Sequence, residues 1–180
     1  MVKLETKLKI KKNKIGILGG SFDPAHKGHL AISKEALKKF SLNSIIWAIT
    51  NQNPFKEKST NDLKKRISIC KEIIGSNKLI KIKFYEDIIN SNKTADLINH
   101  LSKNKKNDLF FLMGADNLVN FHKWHKWKQI LKKSNVIVFD RHGYKKKSLN
   151  SKAYKGLNEK QVTFVQFKKV NISSSKLRKI

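Results

Sequence analysis

Apolar residues in this chain gather in short blocks whose spacing changes from one block to the next. Residues 14–19 (with Ile15, Ile17 and Leu18), 44–50 (SIIWAIT), 109–113 (LFFLM) and 136–139 are brief continuous apolar runs. Runs of that length suit strands buried on both faces of a parallel sheet. Residues 79–85 and 162–167 instead alternate apolar with polar positions, which predicts strands with one wetter face. Between these blocks the period becomes helical. Residues 28–40 set Leu30, Leu37 and Phe40 on one face and Lys34, Lys38 and Lys39 away from it. Thr60 to Asp62 can cap a helix that runs to Ile74 and stops at Gly75. Residues 96–103 carry Leu97, Ile98 and Leu101 on one side, and Trp124, Trp127, Ile130 and Leu131 follow in helical spacing. A loop at 51–59 is punctuated by Pro54, residues 145–160 read as a polar surface excursion, and 172–178 start a last short helix.

Strands alternating with helices imply right-handed crossovers and a parallel sheet. The predicted class is therefore α/β: a Rossmann-like parallel sheet flanked by helices, with a small C-terminal helical element. In such sheets ligands bind beyond the C-terminal ends of the strands. Here those ends are Gly19-Gly20, Thr50-Asn51, Gly114 to Asp116 and Asp140-Arg141. A length of 180 residues suits one domain, taken as residues 14–180, behind a basic, flexible leader at 1–13.

Composition narrows the function. The leader lacks a long apolar core and a small-residue cleavage site, so it does not read as a secretory signal. No run approaches the roughly 20 apolar residues of a membrane span, and a soluble, cytoplasmic protein is expected. The single cysteine excludes an internal disulfide, which fits a reducing cytoplasm and equally other compartments. Forty Lys+Arg against 13 Asp+Glu give a net charge of +27. The excess is almost wholly lysine, spread through the chain, and its clusters lack the interleaved aromatics of a single-strand platform. Nucleic acid is not the expected partner on that ground. Steering of anionic nucleotides, weakened by salt, is the simpler use of the field.

The candidate chemistry lies in residues 15–30, IGILGGSFDPAHKGHL. A strand runs into Gly19-Gly20, where the backbone can approach a ligand closely. A turn over Ser21, Phe22, Asp23 and Pro24 follows, and Gly28 opens a helix whose free N–H groups make an anion site. His26 and His29 add donors suited to phosphate oxygens. A second cradle of the same kind stands at Ile172-Ser-Ser-Ser-Lys-Leu-Arg178, with Ser173, Ser174 and an arginine one turn on. Neither stretch fits the common phosphate loops. A His-x-Gly-His pair could instead bind metal, but zinc needs further ligands and Cys70 sits far off in a predicted helix.

The first stretch resembles the GGSFDPxHxGHL signature of the HxGH nucleotidyltransferases, and the second resembles their ISSTxIR element, with Ser175 for Thr and Leu177 for Ile. Within that superfamily the chain is similar to the bacterial nicotinate mononucleotide adenylyltransferases, over residues 14–180. The resemblance implies adenylyl transfer from ATP to nicotinate mononucleotide, giving nicotinate adenine dinucleotide and pyrophosphate. It implies His26, His29 and Arg178 as catalytic residues. ATP would meet Gly19, Gly20, Ser21, Phe22, Gly28, Ser173 and Ser174. Residues 111–118, FLMGADNL, resemble the FxxGADxL segment, so Gly114 and Asp116 would line the adenosine. Trp124 would stack on the pyridine, Thr94 would hydrogen-bond its carboxylate, and Lys56, in an NPLK-like loop, would meet a substrate anion. Mg²⁺ would travel with ATP, with Asp23 in indirect contact. Two positions depart from the family pattern: Lys93 replaces a tyrosine and Leu97 a threonine. The alternatives are another HxGH transferase, acting on nicotinamide mononucleotide, pantetheine phosphate or glycerol phosphate, and a basic nucleic-acid-binding protein on a decayed scaffold. Homo-oligomer formation is left open.

Overall fold

The structure, a computed structural model, describes residues 12–52, 59–141, 143–156, 162–166 and 177. Six strands form one sheet: β1 (Asn13–Gly20), β2 (Ser44–Ile49), β3 (Ile80–Phe84), β4 (Asn107–Gly114), β5 (Asn135–Phe139) and β6 (Val162–Val165). They lie in the order β3-β2-β1-β4-β5-β6, and every neighbouring pair is parallel. The order reverses between β1 and β4, so the topological switch point lies at the ends of those two strands. The α/β parallel sheet read from the sequence is present.

Strand alternation divides the core into two layers. Ile15, Ile17, Leu109, Phe111, Met113, Val136 and Val138 face one side of the sheet, whereas Leu18, Phe110, Leu112, Ile137 and Phe139 face the other. Helices α1 (Lys27–Phe40) and α2 (Leu63–Ile74) cover the second layer through Ala36, Cys70 and Ile74. The first layer is covered by α4 (Thr94–Ser102), α5 (Ala115–Val119) and α6 (Trp127–Lys133), which supply Ala95, Ile98, Leu118 and Ile130. Before α4 comes one turn of helix, α3 (Glu86–Ile89). Gly16 is a packing glycine. A Cβ there would stand 2.8 Å from Ile45 Cγ1 and 2.9 Å from Leu42 Cδ1.

Four expectations need correction or fall outside the described residues. Trp124 does not belong to the helix its spacing predicts. A 3-10 turn spans Phe121–Lys123, Trp124 is extended (φ −74°, ψ 143°), and Lys126 takes a left-handed φ of +47°, so α6 starts only at Trp127. The segment 145–160 is not a plain surface excursion: it holds two short helices, α7 (Lys145–Leu149) and α8 (Lys152–Lys155). Its serines satisfy the chain locally, Ser151 Oγ capping α8 at Tyr154 N (3.1 Å), and that lets Ala153 enter the core. Strand β1 begins at Asn13, inside the stretch expected to be leader; residues 1–11 lie outside the described residues. So does the final helix at 172–178, Leu177 apart.

Candidate active site

The turn after β1 delivers two histidines to the start of α1 in a fixed arrangement. His26, extended at φ −152°, is the N-cap, and its Nδ1 accepts from Gly28 N at 3.1 Å. His29 Nδ1 in turn accepts from His26 N at 3.2 Å. This is the reciprocal logic of a capping box, with imidazoles in place of the usual Ser and Glu. With both Nδ1 atoms accepting, the neutral rings carry their protons on Nε2, as this hydrogen-bond network assigns them. The ring centroids lie 3.9 Å apart. Ser33 anchors the same turn, donating to His29 O (2.9 Å) and accepting from Trp47 Nε1 (2.8 Å).

Beneath the histidines, Phe22 is 2% exposed, stacked on Trp47 at 4.9 Å and tilted against His29 at 4.9 Å. Its φ of +49° is costly for a bulky residue and turns the chain sharply between β1 and α1. The Phe22 ring is therefore a core element, and only its backbone faces outward chemistry. Gly19 and Gly20 are under no steric demand from the protein. A Cβ at either would meet only ordinary contacts, the nearest at 3.9 and 3.6 Å, so any need for glycine comes from a ligand.

Two buried charges hold this turn, and the sequence reading assigned neither of them this task. Asp23, 1% exposed, accepts from Thr60 N (2.7 Å), Asn61 N (3.2 Å) and Asn61 Nδ2 (2.7 Å). The carboxylate is thus a structural tie between two loops. Arg66, also 1% exposed, donates from Nη1 to Ser21 O and Thr50 O (2.7 Å each), from Nη2 to Asn51 O and from Nε to Asn61 O (3.1 Å each). Asn61 bridges the two charges. The signal for Arg66 lay in its spacing, since Arg66, Cys70 and Ile74 are the buried stripe of α2. Burial pushes the Cys70 thiol up to about 12, the Arg66 charge acting the other way, so the thiol is inert as a nucleophile.

Next to this turn lies a cavity of about 420 Å³ at the C-terminal ends of β1, β2 and β3, with Phe111 of β4 in its wall. Gly19 and Gly20 form one edge, Thr94 and Leu97 another, and Trp124 stands against Phe111. Trp124 meets Phe111 edge-on at 6.1 Å and Phe121 at 5.4 Å, which fixes its ring as a wall. The structure thus brings together Gly19, Gly20, Thr94 and Trp124. It adds Lys93, whose charge could attract a carboxylate in the tyrosine's place, and Tyr85, Glu86, Lys123 and His125, which were not expected to meet a substrate. Burial raises the Tyr85 pKa. Glu86 Oε1 is taken up by the Thr50 hydroxyl and by Asn51 N (3.2 Å).

Gly114 and Asp116 lie outside this cavity, at the β4–α5 junction. A Cβ on Gly114 would collide with Asp116 Oδ1, and Asp116 Oδ2 pairs with Arg141 Nη1 at 2.5 Å, beyond the end of β5. Lys56, Ser173, Ser174 and Arg178 lie outside the described residues. Among the described residues no three His, Cys, Asp or Glu side chains gather as a metal site, and no helix is long and apolar enough to cross a membrane.

Comparison with known proteins identifies the family and the fold. The cytidylyltransferase-like family model matches residues 17–180. A probable nicotinate-nucleotide adenylyltransferase of Pelagibacter ubique is 64% identical over the whole length of both chains. One from Ruegeria sp. is 40% identical over 130 residues, 72% of this chain and 68% of its own. The fold matches a nicotinic acid mononucleotide adenylyltransferase of Plasmodium falciparum, solved with NaAD, at a TM-score of 0.74 and 20% identity, over 93% of this chain and 83% of that one. With a matching family model, full-length identity and the HxGH turn in place at the switch point, the chain belongs to the cytidylyltransferase-like family and, within it, to the nicotinate-nucleotide adenylyltransferases.

Proposed function

We propose that this chain transfers the adenylyl group of ATP to nicotinate mononucleotide in NAD biosynthesis, with the α1 turn holding the triphosphate and the adjoining cavity holding the pyridine nucleotide. The observation that carries the reading is the cavity itself. It opens at the switch point, joins Gly19-Gly20 to Thr94 and Trp124, and has a volume within the range of small-molecule sites.

The nucleotide's phosphate already bears negative oxygens, so no general base is required. One of these oxygens attacks the α-phosphorus of ATP, the bond from that phosphorus to the bridging oxygen breaks, and pyrophosphate leaves. The protein's work is alignment and stabilisation of charge on the leaving group. His26 and His29, whose capping bonds use Nδ1, would donate from Nε2–H to the triphosphate together with the N–H groups at Gly28. Gly19, Gly20, Ser21 and Phe22 contribute through their backbone. Ser173, Ser174 and Arg178 would hold the far phosphates, and Gly114 and Asp116 the adenosine. Trp124 packs on the pyridine, Thr94 Oγ1 meets its carboxylate, and Lys56 meets a substrate anion. The substrate would be Mg-ATP, its ion held mostly by phosphates and water, with Asp23, tied to Thr60 and Asn61, in indirect contact at most. The reaction belongs in the cytoplasm, where ATP is abundant and a lone thiol stays reduced.

Pyrophosphate release with Mg-ATP and each of nicotinate mononucleotide, nicotinamide mononucleotide and pantetheine phosphate tests the reading. Strong preference for the first is expected. Preference for pantetheine phosphate would keep the chemistry and overturn the pyridine assignment, and release with none would overturn the activity.

A further inference from the structure

We propose that Lys93 is the residue by which this chain selects an aromatic carboxylate over the matching carboxamide. The inference rests on the proposed function and deepens it. Four side chains that can carry charge line the cavity: Lys93, Lys123, His125 and Glu86. The one carboxylate among them already accepts from the Thr50 hydroxyl and from Asn51 N. Glu86 offsets one of these charges, and Lys93 and Lys123 together still leave the lining net positive.

Lys93 is the best placed of the cations. Lys123 and His125 are exposed, where solvent and salt screen them, whereas Lys93 is half-buried. Its backbone is pinned. The N–H donates to Ser91 Oγ (3.1 Å), the carbonyl accepts from Asp96 N (3.0 Å) and Leu97 N (3.2 Å), and Thr94 follows directly in the cavity wall. Besides Glu86, which lines both the cavity and a small polar cleft with Lys93, two further carboxylates lie on neighbouring elements. Asp96 Oδ2 is occupied by Ser91 Oγ at 2.7 Å. Asp87 lines a small polar cleft that Lys93 also borders, but no ion pair joins them among the described residues. Lys93, Thr94 and Trp124 therefore line one cavity whose size and charge suit a flat ring bearing a negative group. A carboxylate there gains a charge-assisted hydrogen bond. A carboxamide of the same shape leaves the ammonium partly desolvated and unpaired, which is a strong basis for rejection.

The test compares kcat/KM for nicotinate and nicotinamide mononucleotides in the full chain and in Lys93→Met, Lys93→Arg and Lys103→Met. Lys93 makes no side-chain cap bond to α4, so its replacement is expected to fold normally; Lys93→Gln provides a second variant with the same readout. Lys103 is exposed at the opposite end of α4 and controls for loss of one charge from a very basic protein. We expect the acid-to-amide ratio to fall about tenfold or more in Lys93→Met and Lys93→Gln. It should be largely restored in Lys93→Arg and unmoved in Lys103→Met. A wild-type preference for the acid that survives in both neutral variants would overturn the role of Lys93 and leave the proposed function standing. A wild type with no acid preference would overturn both.

Discussion

At the end of β1 the backbone is fixed by buried polar groups, whereas across the cavity, after β4, it is fixed by aromatic rings. Arg66 and Asp23 tie Ser21, Thr50, Asn51, Thr60 and Asn61 together through hydrogen bonds, both side chains being almost wholly buried. On the other side Trp124 leans on Phe111 and Phe121, and no side chain caps the helices that follow β4 before β5. The difference follows from what each wall must present. A phosphate cradle offers backbone N–H groups, whose aim requires loops held in one conformation, and directional bonds do that. A wall for a flat ring offers area and shape, which van der Waals packing supplies.

The comparison predicts unequal responses to substitution. Arg66→Met should have the largest effect, because it strips donors from four carbonyls that hold both loops. A loss of about 3 kcal/mol or more is expected, seen as a fall in the denaturant midpoint. A change under about 1 kcal/mol would mean that the loops are held by packing after all. Cys70 should show the smallest effect. The neutral thiol is favoured in the fold, so its contribution is complete below the unfolded thiol pKa and is lost as pH rises from there toward about 12. At pH 8 stability should be indifferent to this group, and a thiol reagent should label Cys70 only after denaturation. Rapid labelling of the native protein would show that the α2 face is looser than its packing implies.

Much of this architecture was legible in the chain. Continuous apolar runs gave β1, β2, β4 and β5 because both faces of a central parallel strand are covered, and Asp62 and Gly75 marked α2 at both ends. The HxGH turn was legible because glycines and histidines have few structural reasons to cluster. Trp124 was misplaced into a helix because its spacing to Trp127 fits one, and only the left-handed Lys126, an unusual conformation for lysine, breaks it. Arg66 was hidden among Lys64 and Lys65, where a third cation reads as solvated surface; its partners are backbone carbonyls from four residues, which no side-chain pattern records. The helices at 145–155 were missed because their burial rests on serine and alanine rather than on large apolar side chains.

The most direct measurement is a kinetic comparison of His29→Ala with Trp124→Ala, varying ATP and nicotinate mononucleotide in turn. The account predicts that His29→Ala lowers kcat about a hundredfold or more at saturation of both substrates, with the fold retained. Trp124→Ala should raise KM for the pyridine nucleotide about tenfold while the KM for ATP stays near the wild-type value. Near-normal kcat in His29→Ala, or equal rises in both KM values in Trp124→Ala, would contradict the division of the site into a phosphate cradle and a pyridine wall.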